Sequence, residues 1–165
     1  MKMNTFTSFG NSFLVAIAFL LLSTPAYSQE VAPKRVLFVG NSFTYFYNLP
    51  QVVSAMAEEK GWALETRQST AGGSNLEQHW KSERGTQTRA LIEEQEWDYV
   101  VFNNHSLSSI DQPEAFMEYG KKFAELVKDR GAKPVFMMTW AYHSNPLMQA
   151  TITEMYEQLG EASGA

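Results

Sequence analysis

Lys34-Arg35-Val36-Leu37-Phe38-Val39-Gly40-Asn41-Ser42-Phe43-Thr44 is the stretch that decides the fold class. An unbroken apolar run stopped by a glycine is what a strand buried on both faces requires, because neither of its sides meets water. Downstream, strand and helix patterns alternate. Pro50 opens a helix with Val52, Val53, Met56 and Ala57 on one face and Gly61 at its end. Trp62 to Arg67 alternates as a second strand. Ser69 to Gly85 is rich in Gly, Ser, Thr and Asn and reads as an ordered loop with a helical turn at Leu76 to Trp80.

A helix over Thr86 to Gln95 leads into a third strand at Trp97 to Phe102. Asp111 and Glu114 form a capping-box pattern around Pro113, and Phe116, Tyr119, Phe123 and Val127 make a helical stripe that Gly131 terminates. Val135 to Trp140 is the fourth strand. Met148, Ile152, Met155 and Leu159 line a last helix closed by Gly160. This alternation predicts an α/β fold, a three-layer α/β/α flavodoxin-like sandwich around a parallel sheet with right-handed crossovers. Four strands are visible, and the pattern calls for a fifth after the last helix.

Composition narrows the function classes. The chain has 165 residues, no Cys, 44% apolar and 19% charged residues, and a formal charge of −5. That describes one globular domain, not a disulfide scaffold or a cysteine-ligated zinc module. The acidic balance, with no basic stripe, argues against nucleic acid as a partner. At the N-terminus, Lys2, the apolar core Phe13 to Leu22 and the small residues of Pro25-Ala26-Tyr27-Ser28 form a signal-peptide pattern. It predicts cleavage after Ser28, export to the periplasm or beyond, and a mature domain over 29–165. The core is about half the roughly 20 residues that span a bilayer, so no membrane association is expected after cleavage.

Ligands of open parallel sheets bind beyond the carboxyl ends of the strands, so the polar segments there matter most. Ser42 stands between a buried strand and a helix start, where a nucleophile finds free backbone N–H groups for the charge that develops on an attacked carbonyl. Gly-Asn-Ser-Phe also occurs at Gly10 to Phe13, without that strand and helix context. Thr44 replaces the second glycine of the Gly-x-Ser-x-Gly elbow, so the α/β-hydrolase pattern does not apply. After the second strand, the glycine pair of Thr70-Ala71-Gly72-Gly73-Ser74-Asn75 lets backbone approach a ligand closely. Asn103-Asn104-His105-Ser106 follows the third strand with hydrogen-bonding side chains.

Together these three blocks resemble the SGNH hydrolases, the GDSL esterase and lipase superfamily, over nearly the whole of 29–165. Val36 to Tyr45 resembles the first block, Gly72 to Asn75 the second, and Trp97 to Ser106 the approach to the third. A bacterial branch combining Gly-Asn-Ser-Phe-Thr, Leu-Glu-Gln-His-Trp (Leu76 to Trp80) and Met-Thr-Trp (Met138 to Trp140) is the most similar. The resemblance implies Ser42 as nucleophile and an oxyanion hole from the N–H groups of Ser42 and Gly73 with the amide of Asn103 or Asn104. It implies no cofactor and no metal.

The third block departs from the family's Gly-x-Asn-Asp, and no Asp-x-x-His, the family's base block, occurs in the chain. A serine hydroxyl needs a base to take its proton. One truncation would remove both the fifth strand and that block, so the sequence is expected to be C-terminally truncated; otherwise His105 or His143 must substitute as base. His79 reads as a partly buried partner of Trp80. A three-histidine zinc site is disfavoured because no second ligand sits at ligand spacing near any of them.

The functional expectation is an exported serine ester hydrolase acting through an acyl-enzyme on a small-molecule or carbohydrate ester, with Tyr45, Tyr47, Trp80, Trp140 and Tyr142 as aromatics suited to sugar rings. The alternative is a catalytically incomplete binding module of the same fold. A flavin- or nucleotide-binding domain ranks last, because the first loop lacks a phosphate-binding glycine fingerprint.

Overall fold

The computed structural model describes residues 32–165, and the expected signal peptide lies outside them. The elements in chain order are β1 (Lys34–Gly40), α1 (Ser42–Tyr45), α2 (Leu49–Glu58), β2 (Leu64–Thr70), α3 (Leu76–Trp80), α4 (Thr88–Glu94), β3 (Tyr99–Phe102), α5 (Ser108–Asp111), α6 (Pro113–Asp129), β4 (Lys133–Phe136) and α7 (Met148–Ser163). All four strands run parallel, in the order β2-β1-β3-β4. That is the flavodoxin-like order, whose winding reverses between β1 and β3. In register, Val39 lies opposite Ser69 and Phe102, and Phe102 opposite Phe136. The carboxyl ends of the strands are therefore level along one edge of the sheet.

Strand alternation sorts the core. Leu37, Val39, Val100 and Phe102, all fully buried, share one face with Leu76, Ile92, Tyr119, Phe123 and Val127 from α3, α4 and α6. Each such side chain stabilises the fold by about 1.5–3 kcal/mol relative to exposure. Val36 and Phe38 occupy the opposite face, where α1 packs on β1 and α2 on β2. Burial thins across that face: Val101 of β3 is half-buried and Val135 of β4 is 39% exposed. Ile152, Tyr156 and Leu159 of α7 pack with Phe116 of α6 in a second cluster. No helix among the described residues is long and apolar enough to cross a membrane.

Four local expectations are corrected. The second strand runs from Leu64 to Thr70, further along than the alternation of Trp62 to Arg67 indicates. The fourth is Lys133–Phe136, and Met137 to Trp140 are not strand. The Met137 N–H donates to the Phe102 carbonyl, a last rung after which the β3 chain has turned away. The Asp111 capping box does not form, because Asp111 already lies in α5 and Gln112 occupies the N-cap of α6 with no side-chain cap. Gly160 stays helical, and α7 ends at Gly164 instead.

Candidate active site

The site is built where β1 ends. Gly40 is tied there by space: a Cβ on it would lie 1.8 Å from Asn103 Oδ1, so only glycine lets β1 and the β3 loop approach this closely. Asn41 follows, almost fully buried, and its amide gathers the three polar blocks to one point. Its Nδ2 donates to the Ser74 carbonyl (2.9 Å) and to the Asn104 carbonyl (3.1 Å). Its Oδ1 caps α1 by accepting the Phe43 N–H (3.1 Å). Ser42, half-buried, is the first residue of α1, and its hydroxyl has no hydrogen-bond partner among the described residues.

The two asparagines after β3 differ in what remains free. Asn103 Oδ1 accepts from the Asn41 N–H (3.2 Å) and from Thr44 Oγ1 (2.5 Å), and its Nδ2 donates to Asn41 Oδ1 (3.2 Å) and the Asn104 carbonyl (2.9 Å). Both ends of that amide are occupied. Asn104 Oδ1 accepts two backbone N–H groups, from Leu76 (3.0 Å) and His105 (2.9 Å), which fixes the amide's orientation. Its Nδ2 donates to nothing among the described residues. The N–H groups of Ser42 and Gly73 are likewise without partners there. Gly73 has φ +65° with open space at its Cβ position, a conformation that glycine adopts without steric penalty.

His79 is fully buried beneath this arrangement, which corrects its reading as a partly buried neighbour of Trp80. Its Nε2 lies 2.9 Å from the Gly40 carbonyl, and a carbonyl only accepts, so Nε2 carries the hydrogen. Ser74 Oγ lies 2.8 Å from the same nitrogen. Nδ1 then accepts from Thr88 Oγ1 (2.7 Å), which in turn accepts from Ser69 Oγ (2.8 Å). The ring thus braces the end of β1, the glycine loop and α4. Burial pushes its pKa down to about 4, and the bond to Gly40 offsets only part of that. It is a strut held neutral by burial, and it bonds Gly40, Ser74 and Thr88 rather than Ser42.

His105 and His143 follow the carboxyl ends of β3 and β4 and are exposed; among the described residues neither bonds Ser42. His105 lines a cleft with Gly73. Of the aromatics, Trp140 packs at a tilt of 47° against Phe43, next to Ser42, with ring centroids 4.5 Å apart. Tyr142 Oη lies 2.7 Å from Ser106 Oγ. A Cβ on Gly72 would lie 3.2 Å from Tyr45 Oη, so that tyrosine borders the glycine loop. Tyr47 is 94% exposed on a left-handed backbone (φ 59°). Trp80 belongs to the core instead, packed edge-on against Phe123. No cluster of three metal-ligating side chains occurs among the described residues.

Asn41, Ser74, Thr44 and His79 were not singled out in sequence for what they do here. Each sits within or beside a recognised block, and asking which side chain satisfies the Gly40 carbonyl at the end of β1 would have found Ser74 and His79.

A parallel sheet in this order with helices on its faces is the fold of the SGNH hydrolases, and the chain has it. Among solved structures, it is similar to a candidate SGNH hydrolase from Slackia heliotrinireducens, with TM-score 0.72 and 26% identity over 81% of this chain and 77% of that one. It is also similar to AlinE4, an SGNH-hydrolase family esterase (TM-score 0.63, 13% identity, 81% and 74% covered). A DUF4886 family protein from Bacteroides uniformis shares the fold too (TM-score 0.62, 18% identity, 81% and 65% covered). No family model and no curated protein matches the chain.

Proposed function

We propose that the protein is an exported serine ester hydrolase that forms an acyl-enzyme at Ser42 and removes acyl groups from carbohydrate esters. The observation that supports this best is the Asn41 amide, which holds the Ser42, Gly73 and Asn104 segments together while three N–H donors there stay unpaired. Ser42 Oγ attacks the ester carbonyl carbon and its proton passes to a base. The carbonyl oxygen becomes an oxyanion held by the N–H groups of Ser42 and Gly73 and by Asn104 Nδ2. Collapse breaks the bond to the alkoxy oxygen, which leaves with the proton from the base. Water then attacks the acyl-enzyme by the same route and releases the acid. Asn103 serves as a positioning residue, because its amide is already fully bonded.

His105 and His143 are the candidate bases within these residues. Catalytic hydrogen bonds are commonly long before substrate binds, so their resting positions do not disqualify them. A second reading, a binding module with the hydrolase fold, is favoured by the one observation that no histidine bonds Ser42 among the described residues.

A serine-directed fluorophosphonate probe decides between the two. Covalent labelling that Ser42→Ala abolishes, and that Asn104→Ala slows by about a hundredfold as loss of one oxyanion donor does, carries the hydrolase reading. No labelling of a folded chain leaves the binding module. Export is tested by sequencing the N-terminus of protein recovered outside the cytoplasm, which should begin at Gln29.

A further inference from the structure

Between α3 and α5 lies a cleft of about 250 Å³, lined by Gly73, Asn75, Gln78, His105, Asp111 and Gln112 among others. Of its lining, the reaction outlined above uses only Gly73, through which it opens beside the oxyanion position, and the candidate base His105. Its polar atoms are oriented by bonds at their inner ends. Gln78 Oε1 accepts the Asn75 N–H (3.2 Å), and Gln112 Oε1 accepts from Asn75 Nδ2 (3.2 Å). Both glutamine Nε2 groups are therefore left without partners among the described residues. The exposed Asp111 carboxylate accepts no hydrogen bond and makes no ion pair among those residues, and the exposed His105 ring is likewise unengaged.

This lining discriminates between ligand classes. Anions are disfavoured, since neither Lys nor Arg lines the cleft and Asp111 repels them. A long acyl chain needs a wall of large apolar side chains, and the cleft has none. A neutral polyol fits: each hydroxyl both donates and accepts, so neighbouring hydroxyls can give to Asp111 and take from the Gln78 and Gln112 amides. The volume is below the roughly 300 Å³ at which pockets for drug-sized ligands begin, the scale of a single ring.

We infer that the cleft formed by Asn75, Gln78, His105, Asp111 and Gln112 binds one neutral pyranose ring. Its role as the alcohol side of the ester rests on the hydrolase reading; the binding itself does not. The aromatics at Tyr45, Tyr47 and Trp140 are then left to flank the site without holding that ring.

Titration of the labelled chain with the methyl pyranosides of glucose, galactose, mannose and xylose, followed by amide NMR, tests it. At least one of these sugars should shift the side-chain amide resonances of Gln78 and Gln112, and Gln112→Leu and Asp111→Leu should each weaken its binding tenfold or more. Both side chains are exposed, so the variants keep the fold, which their own spectra check. Absence of shifts with every sugar, shifts confined to Tyr45, Tyr47 and Trp140, or unchanged affinity in both variants would overturn the inference. Fluorophosphonate labelling is read separately. Sugar binding without labelling removes the hydrolase reading and keeps the subsite; labelling without sugar binding does the reverse.

Discussion

The carboxyl ends of β1, β2 and β3 are held very differently from that of β4. At the first three, buried side chains bond one another across loops: Asn41 to Ser74 and Asn104, Asn103 to Asn41 and Thr44, His79 to Gly40 and Thr88. After β4, the chain from Met137 to Leu147 is mostly exposed and is tied by isolated contacts, chiefly Thr139 Oγ1 to the Ser106 carbonyl (3.0 Å), Tyr142 to Ser106, and Trp140 on Phe43. The half of the site carrying Ser42, Gly73 and the asparagines is thus over-determined. The half carrying His143 has few such ties. Preorganised dipoles aid a reaction because they need no rearrangement when charge appears, so on the proposed hydrolase reading the braced half is where fixed donors belong.

Substitutions in the two halves should therefore separate widely. The largest effect is expected from Gly40→Ala, whose methyl would overlap Asn103 Oδ1 and break the bonds that amide makes. A loss of about 4 kcal/mol in denaturant unfolding is expected, at the upper end for overpacking a core. A loss under about 1 kcal/mol would mean that the β3 loop is as yielding as the β4 end.

Next comes the acid response of His79. Its pKa falls from 6.5 to about 4 on folding, so as pH drops the unfolded chain takes up a proton that the folded chain refuses. The stability from the neutral ring is complete above pH 6.5 and is lost progressively down to about pH 4, in total about 3 kcal/mol. Asp98 and Glu77, held below their ordinary carboxylate range by hydrogen bonds from Lys34 and Lys81, give up their contributions from the acidic end of this window downward. Unfolding free energy measured across that window should slope in the parent chain and flatten in His79→Gln. A parallel slope in the variant would remove His79 as the cause.

The smallest effect is expected at the β4 end. Tyr142→Phe deletes a single part-buried hydrogen bond to Ser106, so a change of about 1 kcal/mol or less is expected in the same measurement. A larger loss would show that this end is braced as firmly as the others.

Much of the fold was legible because its cues are local. Val36 to Val39 and Tyr99 to Phe102 are short apolar runs, and most of their side chains are buried. β4 was misplaced because apolar character continues to Trp140, whereas pairing stops when β3 turns away at Asn103 to join the Asn41 network. The Asp111 cap failed for a similar reason: a helical turn was already present upstream. In the site, the positions of Ser42, Gly73 and the two asparagines followed from the rule that strand ends carry ligands. Which of Asn103 and Asn104 keeps a free amide did not, because it depends on partners that lie up to 62 residues away. His79 was illegible for the same reason, its bond to Gly40 spanning 39 residues.

The Asn41 amide carries one more consequence, for the order of assembly. Its donors reach Ser74, 33 residues on, and Asn104, 63 residues on. Contacts of such sequence separation close late, since the entropy of the intervening loops opposes them until the strands are docked. A chain emerging from synthesis can lay down β1 and the turn bearing Ser42 early. The surroundings of Ser42 form only once β3 has been added beside it, so this corner of the site is completed by the third strand.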